Sequence, residues 1–137
     1  MSASSENQRI IRNAYRIADE QDVEGWAACF HEDGTFTNES IGVTYRGHKE
    51  VGIPVRIFAT PYPDMHRDLQ NVYVTGARVI VELPLNGTNT GPLEVPNAVI
   101  PPSGMRMKAP CCDVFRLKNG KIQSFNCYPR ITDSAWI

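Results

Sequence analysis

Apolar residues in the first half of the chain recur at helical spacing. Between residues 8 and 20 they form one stripe, with Tyr15 beside it: Ile10, Ile11, Ala14, Ile17 and Ala18. A second, shorter stripe follows Asp22, a suitable N-cap: Val23, Trp26, Ala27 and Phe30. Residues 48–59 repeat the spacing, and Pro54 is expected to kink or shorten that segment. The pattern predicts three helices whose apolar faces pack against a core.

The second half of the chain has the composition of β-strands. Val, Ile and Tyr are concentrated in residues 66–74 and 77–83, which meet at Thr75-Gly76, and this pattern predicts a hairpin. Residues 105–117 and 121–128 flank Asn119-Gly120, a strong tight-turn signal, and predict a second hairpin. Residues 35–38 also have strand composition. Helices followed by antiparallel strands indicate an α+β domain, with the helices on one face of a curved sheet.

Six of the ten prolines lie in the segment from Pro84 to Pro110. Because proline cannot donate a hydrogen bond to a strand ladder, this segment is predicted to be a central strand only in part. We expect a strand over residues 85–90 and a loop over residues 91–104, whose apolar residues should cover other apolar surface. A loop of this length in a compact domain is typical of a functional lid or of a disordered segment.

Composition narrows the class of protein. The 137 residues carry 14 basic and 15 acidic side chains, and this balance argues against nucleic-acid binding. The length suits one domain over residues 1–137, in which we expect residues 1–6 to be disordered. The chain lacks a signal-peptide pattern and the run of ~18 apolar residues that a membrane span needs, so a cytoplasmic protein is expected. The four cysteines show neither a CxxC pair nor zinc spacing, which predicts reduced thiols and no metal.

Several motifs resemble those of one family. The strand Cys-Asp-Val-Phe-Arg-Leu at 112–117, the turn Asn-Gly-Lys-Ile at 119–122 and Tyr128 resemble the last hairpin of ketosteroid isomerases. Residues 30–35, Phe-His-Glu-Asp-Gly-Thr, resemble the family's helix-to-strand corner, and residues 87–91 and 101–104 resemble the middle of SnoaL-like polyketide cyclases. The resemblance implies the cone-shaped, curved antiparallel sheet of the nuclear transport factor 2-like (cystatin-like) fold, packed against three N-terminal helices. It also implies a homodimer.

Asp113 is the leading candidate for a catalytic residue. On a hairpin with this turn its same-face neighbours are Cys111, Phe115, Phe125 and Cys127, which form an apolar surround. Burial raises the pKa of a carboxyl, so Asp113 is expected to stay protonated and donate a hydrogen bond, as a neutral Asp does in ketosteroid isomerase. The resemblance places Asp113 on that residue. The alternative is a structural Asp that a backbone N–H or an arginine satisfies.

Other positions depart from the family pattern. The isomerase's general-base Asp corresponds to Asn38, and the SnoaL-like acid/base Asp on the last strand corresponds to Cys127, so neither carboxylate is present. Tyr15 is offset by one residue from the isomerase's oxyanion-hole Tyr. His66 is therefore the candidate base, because imidazole titrates near neutral pH. In the alternative interpretation His66 or Asp68 merely pairs with its neighbours or caps the strand.

These residues predict a function and an alternative. The leading hypothesis is a cofactor-independent enzyme that isomerises, cyclises or dehydrates a hydrophobic, oxygen-bearing small molecule such as a polyketide, terpenoid or steroid-like carbonyl compound. Asp113 and His66 would act on protons, and the candidate substrate-binding residues are Tyr15, Asn38, Cys127, Trp26, Phe58, Phe115 and Phe125. The alternative is a non-catalytic small-molecule binding or scaffold protein. An open pocket shared by Asp113 and His66 favours the enzyme, and a cavity filled by Met65, Met107 and Phe115 favours the scaffold.

Overall fold

Three helices pack against the sheet in a computed structural model that describes residues 3–95 and 97–130. They are α1 (Ala3–Asp19), α2 (Val23–Ala28) and α3 (Ile53–Ala59). α1 begins five residues before the predicted start, so residues 3–6, expected to be disordered, are helical, and residues 1 and 2 lie outside the described part. The N-cap of α2 is Asp22, as predicted, and its side chain accepts a hydrogen bond from the backbone N–H of Gly25.

α3 is shorter than the predicted segment. It starts at Ile53, because residues 48–52 form turns. Pro54 lies in the first turn, where the missing N–H costs no intrahelical hydrogen bond. Pro54 therefore opens the helix, and of its two expected effects, a kink or a shortened segment, the structure shows the shortening.

Seven strands form one curved, mixed sheet. In chain order the strands of the molecule are β1 (Phe30–Asn38), β2 (Val43–Arg46), β3 (His66–Arg67), β4 (Asn71–Thr75), β5 (Arg78–Thr88), β6 (Leu93–Val95), β7 (Ala98–Ile100), β8 (Arg106–Lys118) and β9 (Lys121–Pro129). The large sheet has the order β2-β1-β9-β8-β5-β3, and β4 also pairs with β5. The α+β fold with three helices is confirmed, with one difference. β1 and β9 run parallel, whereas antiparallel pairing was expected throughout.

Both predicted hairpins are present. β4 and β5 meet at the predicted turn, and β8 and β9 flank Asn119-Gly120, whose φ angles of 51° and 78° are the positive values of this turn class. The resulting register places Asp113 opposite Cys127 and Phe115 opposite Phe125. The hairpin at 119–120 therefore brings the candidate site residues of two strands onto one face of the sheet.

The second part of the proline-rich segment differs from its prediction, whereas the strand expected over residues 85–90 is present as the end of β5. β5 continues through Pro84 to Thr88, and β6 and β7 form a separate two-stranded hairpin where a loop was expected over residues 91–104. Asn89 holds the base of this hairpin, because its side-chain amide donates to the carbonyls of Pro61 (3.1 Å) and Gly91 (3.0 Å) and its oxygen accepts from the Ser103 N–H (2.8 Å). Prolines exclude a long regular ladder here, but short strands satisfy their own backbone groups.

The core lies between the helices and the inner face of the sheet. Its largest side chains are aromatic, and the Trp26 ring makes edge contacts with Phe30, Phe36 and Phe125. Phe115 stacks on Phe125 with 4.3 Å between ring centroids. Such contacts add to the stabilisation from apolar burial. Within the described residues, the helices are too short or too polar to cross a membrane.

Candidate active site

A small cavity lies between the three helices and the inner face of the sheet. Its volume is about 60 Å³. Most of its wall is apolar: Trp26, Phe36, Pro54, Val55, Phe58, Met65, Leu85, Phe125 and Pro129. Its polar or charged wall residues are Tyr15, Asn38, Arg67, Asp113 and Cys127. A few polar groups converging in an apolar cavity are typical of a small-molecule site.

Asp113 is the carboxyl group of this cavity. It lies in the middle of β8, and only 2% of its surface is exposed. The hydroxyl of Tyr15, from α1, donates to its Oδ2 at 2.6 Å, and the thiol of Cys111 donates to its Oδ1 at 3.1 Å. A thiol is a weak donor, so one carboxyl oxygen is held firmly and the other weakly.

Burial sets the protonation of this pair. It raises the pKa of Asp113, and the opposing hydrogen bonds from Tyr15, Cys111 and Cys127 and the charge of Arg67 only partly offset it. Burial, followed by the charge of Asp113, raises the pKa of Tyr15 well above its usual value. Because both groups favour the protonated form, Asp113 can give up a proton and Tyr15 remains a donor to the carboxylate left behind.

Two thiols complete the polar cluster. The sulfurs of Cys111 and Cys127 are 3.5 Å apart, and these two residues with Asp113 bring potential metal-ligand atoms within 4.8 Å of one another. The hydrogen bond with Cys111, together with burial, raises the pKa of the Cys127 thiol. The hydrogen bond with Cys127 lowers the pKa of Cys111, but burial and Asp113 raise it by more. Both thiols are therefore protonated donors in a hydrogen-bonded cluster.

The length of one match to a protein family shows which family this chain belongs to. The model of the SnoaL-like domain matches residues 11–125 and so includes Tyr15, Asp113 and the strands between them. The chain belongs to the SnoaL-like domain family. A comparison with curated proteins finds no match.

Solved structures share the fold of this SnoaL-like chain. A protein from Jannaschia sp. CCS1 named as a SnoaL-like polyketide cyclase is 20% identical, with a TM-score of 0.76 over 94% of this chain and 89% of its own. SalBIII, an epoxide hydrolase/cyclase-like enzyme with a role in pyran ring formation in the polyether salinomycin, is 23% identical, with a TM-score of 0.77 over 97% of both chains. A protein with a ketosteroid isomerase-like fold from Catenulispora acidiphila, in complex with trimethylamine, is 20% identical, with a TM-score of 0.71 over 87% of this chain and 83% of its own.

Most of the predicted site residues meet at the cavity. Besides Asp113 and Tyr15, the lining includes Asn38, Trp26, Phe58, Phe125 and Cys127. The indole N–H of Trp26 donates to the Val51 carbonyl at 3.0 Å, so this residue contributes a ring face rather than a free donor. The side-chain oxygen of Asn38 accepts hydrogen bonds from the backbone N–H and the hydroxyl of Ser40.

Two predicted residues lie elsewhere. The side chain of His66 is 46% exposed, and its ring contacts the Asp64 carbonyl and the Asp68 carboxylate rather than the cavity. Alternation along the chain explains this, because Met65 and Arg67 face the cavity and His66 points away. Phe115 is fully buried behind the wall, where it packs on the rings of Tyr15 and Phe125. The structure therefore does not bring His66 to Asp113, and Phe115 is a core residue.

Arg67 is the site residue that the sequence analysis missed. Its guanidinium lines the cavity and pairs with the Asp19 carboxylate of α1 at 2.7 Å. The sequence contained one hint of this role, because Arg67 is the neighbour of the candidate base His66. Neighbouring residues of a strand point to opposite faces, so only one of the two can face the cavity. The hairpin of residues 91–104, expected to be a lid, contributes none of the described residues that line the cavity. Its base lies instead against Pro61, two residues beyond α3.

Proposed function

We propose that this SnoaL-like protein is an enzyme that transfers protons to and from a small, largely apolar molecule carrying a carbonyl, epoxide or hydroxyl oxygen. The observation that carries the proposal is a carboxyl, Asp113, which lines an apolar cavity with its pKa raised by burial. A raised pKa favours the neutral carboxylic acid, which is a hydrogen-bond donor and a general acid.

Tyr15 supports the acid role of Asp113. When Asp113 gives its proton to a substrate oxygen, a buried carboxylate is left, and the 2.6 Å hydrogen bond from the Tyr15 hydroxyl to Oδ2 stabilises that charge. The hydrogen bond strengthens as the charge develops, so it stabilises the transition state more than the ground state. We therefore assign Asp113 as the proton donor and Tyr15 as the group that holds its conjugate base.

The rest of the cavity limits the reaction class. Among the described residues that line it there is one carboxyl and no histidine. The same carboxyl must then accept a proton later in the cycle. Intramolecular cyclisation meets this need, because Asp113 protonates the leaving oxygen, an internal hydroxyl attacks, and the attacking oxygen returns its proton to the carboxylate. Isomerisation and dehydration also satisfy this requirement when Asp113 delivers one proton to the substrate and removes another from it.

The fold comparison supports this class without identifying a substrate. SalBIII, with its role in pyran ring formation, has this fold at 23% identity. At that identity only the fold is shared, so the chemistry rests on Asp113 and Tyr15 of this chain.

A substrate panel with matched variants tests the proposal. The full chain is assayed by mass spectrometry and NMR against hydroxy-epoxides, hydroxy-enones and β-hydroxy ketones of increasing size. Asp113→Asn removes the proton and keeps the shape, and conversion should fall by at least about 100-fold, the scale of general acid catalysis. Tyr15→Phe should lower conversion by about 10-fold, because it removes one hydrogen bond to a charged group. Cys112→Ser, on the opposite face of β8, is the control. Conversion that survives Asp113→Asn would overturn the assignment.

A non-catalytic binding protein is the second candidate. Asn38 and Cys127 stand where the resemblance puts carboxylates, and the cavity of about 60 Å³ is well below the roughly 300 Å³ of common ligand sites. Met65 narrows it, whereas Met107 and Phe115 are not part of its wall. Binding of panel members without conversion, unchanged by Asp113→Asn, would favour this candidate.

A further inference from the structure

An open groove adjoins the cavity. Its volume is about 540 Å³, and two residues, Tyr15 and Arg67, belong to the walls of both spaces. The cavity alone holds only a few atoms, whereas the groove has the size of a common ligand site. The groove is therefore the space beside the cavity that has room for the rest of a ligand of ordinary size.

The groove is charged, in contrast to the cavity. Three arginines and three carboxylates line it: Arg12, Arg16, Arg67, Asp19, Glu20 and Asp68. Arg16 pairs with Glu20 at 2.8 Å, and Asp68 accepts a hydrogen bond from Asn86. Within the described part of the chain Arg12 has no carboxylate partner and donates to the side-chain oxygen of Gln8 at 3.3 Å. The six formal charges of the groove sum to zero, and because two of the arginines are paired with carboxylates, Arg12 contributes positive charge one helical turn before Tyr15 while Asp68 contributes negative charge.

Arg67 has donors to spare at the boundary between the two spaces. Its Nη1 donates to Asp19 at 2.7 Å, and its Nη2 meets only the Met65 sulfur, at 4.0 Å. The described residues provide no partner for its Nε. The side chain is 14% exposed, so these donors lie in a partly desolvated setting where a charged hydrogen bond is strong. The guanidinium edge formed by Nε and Nη2, whose one contact here is the weak one with the Met65 sulfur, matches the two oxygens of a carboxylate.

We propose that the ligand is an amphiphilic carboxylate whose apolar, oxygen-bearing end enters the cavity at Asp113 and whose carboxylate binds Arg67 in the groove, with Arg12 as a second positive charge. The inference rests on the proposed function for the end of the ligand that reacts, and it adds the chemical class of the other end. Asp19 keeps Arg67 in place by occupying Nη1, so the free donors are held ready for the ligand.

Three matched probe molecules distinguish the contribution of the carboxylate to affinity from that of the rest of the ligand. 5-Oxohexanoate carries a ketone at one end and a carboxylate at the other, 5-oxohexanamide is its uncharged analogue, and 2-hexanone lacks the second polar group. Dissociation constants are measured by NMR titration of the full chain. The acid should bind about 10- to 100-fold more tightly than the amide, the scale of a hydrogen bond to a charged group.

Substitutions in the groove identify which side chain is responsible for the tighter binding of the acid. Arg67→Met keeps the apolar stem and should reduce binding of the acid to that of the amide, while Arg67→Lys should recover part of the difference. Arg12→Gln, on the exposed surface of α1, should weaken binding of the acid by a smaller factor and leave binding of the other two probes unchanged. Because Arg12 is exposed, this variant still tests the inference if the Arg67 variants fail to fold. Arg9→Gln is the control, because Arg9 lies on the exposed surface of α1, pairs with Glu6 and is not part of the groove wall.

The outcomes separate the inference from the proposed function. Equal affinity for the acid and the amide overturns the carboxylate inference, and so does the absence of binding by all three probes. If Asp113→Asn abolishes conversion of the substrate panel while the acid and the amide bind equally, the proposed acid role stands and the carboxylate inference falls. If the acid binds through Arg67 while conversion survives Asp113→Asn, the carboxylate site stands and the proposed acid role falls.

Discussion

Replacing Asp113 by Asn should change how stability depends on pH. In the unfolded chain the carboxyl titrates near its usual value of about 3.9. In the folded protein burial raises its pKa. Below both values the carboxyl is protonated in both states, and its contribution to stability is fully present. As the pH rises, the unfolded chain loses the proton first, so the unfolding free energy falls until the pH passes the folded pKa.

The size of the effect follows from proton linkage. Each pH unit in this window lowers the unfolding free energy of the wild type by up to about 1.4 kcal/mol relative to a variant that cannot titrate. Asn suits this purpose, because its carbonyl oxygen can still accept the hydrogen bond from the Tyr15 hydroxyl and its volume is nearly that of Asp. The stability of the Asn variant relative to the wild type should therefore increase as the pH rises above about 4.

Urea denaturation followed by circular dichroism measures this difference. Unfolding free energies of both proteins are compared at half-unit steps from roughly pH 4 to pH 7, with the thiols kept reduced. Asp33→Asn is the matched control, since Asp33 is an exposed carboxyl on β1 and its replacement removes a charge from the surface. A constant difference between wild type and Asp113→Asn across this range would refute the reasoning, because it would mean that burial does not favour the protonated acid.

Three further predictions concern the fold and assembly. Phe115→Ala should lower the unfolding free energy by about 3–5 kcal/mol, because Phe115 is fully buried, whereas His66→Gln should change it by less than about 0.5 kcal/mol; urea denaturation measures both. Gly91→Ala should release the base of the β6–β7 hairpin, since the added carbon would lie 1.9 Å from the Thr60 carbonyl oxygen, and limited proteolysis should then cut residues 91–104 faster than in a Gly42→Ala control. The homodimer implied by the family resemblance predicts a sedimentation mass of two chains, and Tyr128→Asp on the exposed outer face of β9 should reduce it to one.

Local sequence signals determined most of the fold. The helical stripe that contains Ile11 and the Asn119-Gly120 turn are decided by residues close in sequence, and both were predicted correctly. The parallel pairing of β1 with β9 joins residues about ninety positions apart, and strand composition carries no information about that partner. The β6–β7 hairpin was missed for a related reason, since its prolines weaken the alternation from which strands are inferred.

The candidate site was predictable where it depends on one hairpin. Once the turn at 119–120 was placed, alternation put Asp113, Phe125 and Cys127 on one face, and the structure confirms this. Arg67 and His66 lie on a two-residue strand with no neighbouring periodicity to show which of them points inward. The hydrogen bond from Tyr15 to Asp113 joins α1 to β8 across 98 positions and was not predicted, because the resemblance only placed Tyr15 one residue away from the isomerase's oxyanion-hole Tyr.

The most direct test of the central claim is a carbon-13 NMR titration of the Asp113 side-chain carboxyl, assigned by its loss in Asp113→Asn. The account predicts that this carbon keeps the chemical shift of a protonated acid at pH values above about 3.9, the usual pKa of Asp, and that Tyr15→Phe raises the pKa of Asp113 further, because the lost hydrogen bond favours the charged form. A carboxyl that titrates at or below that usual value in the wild type would contradict the account.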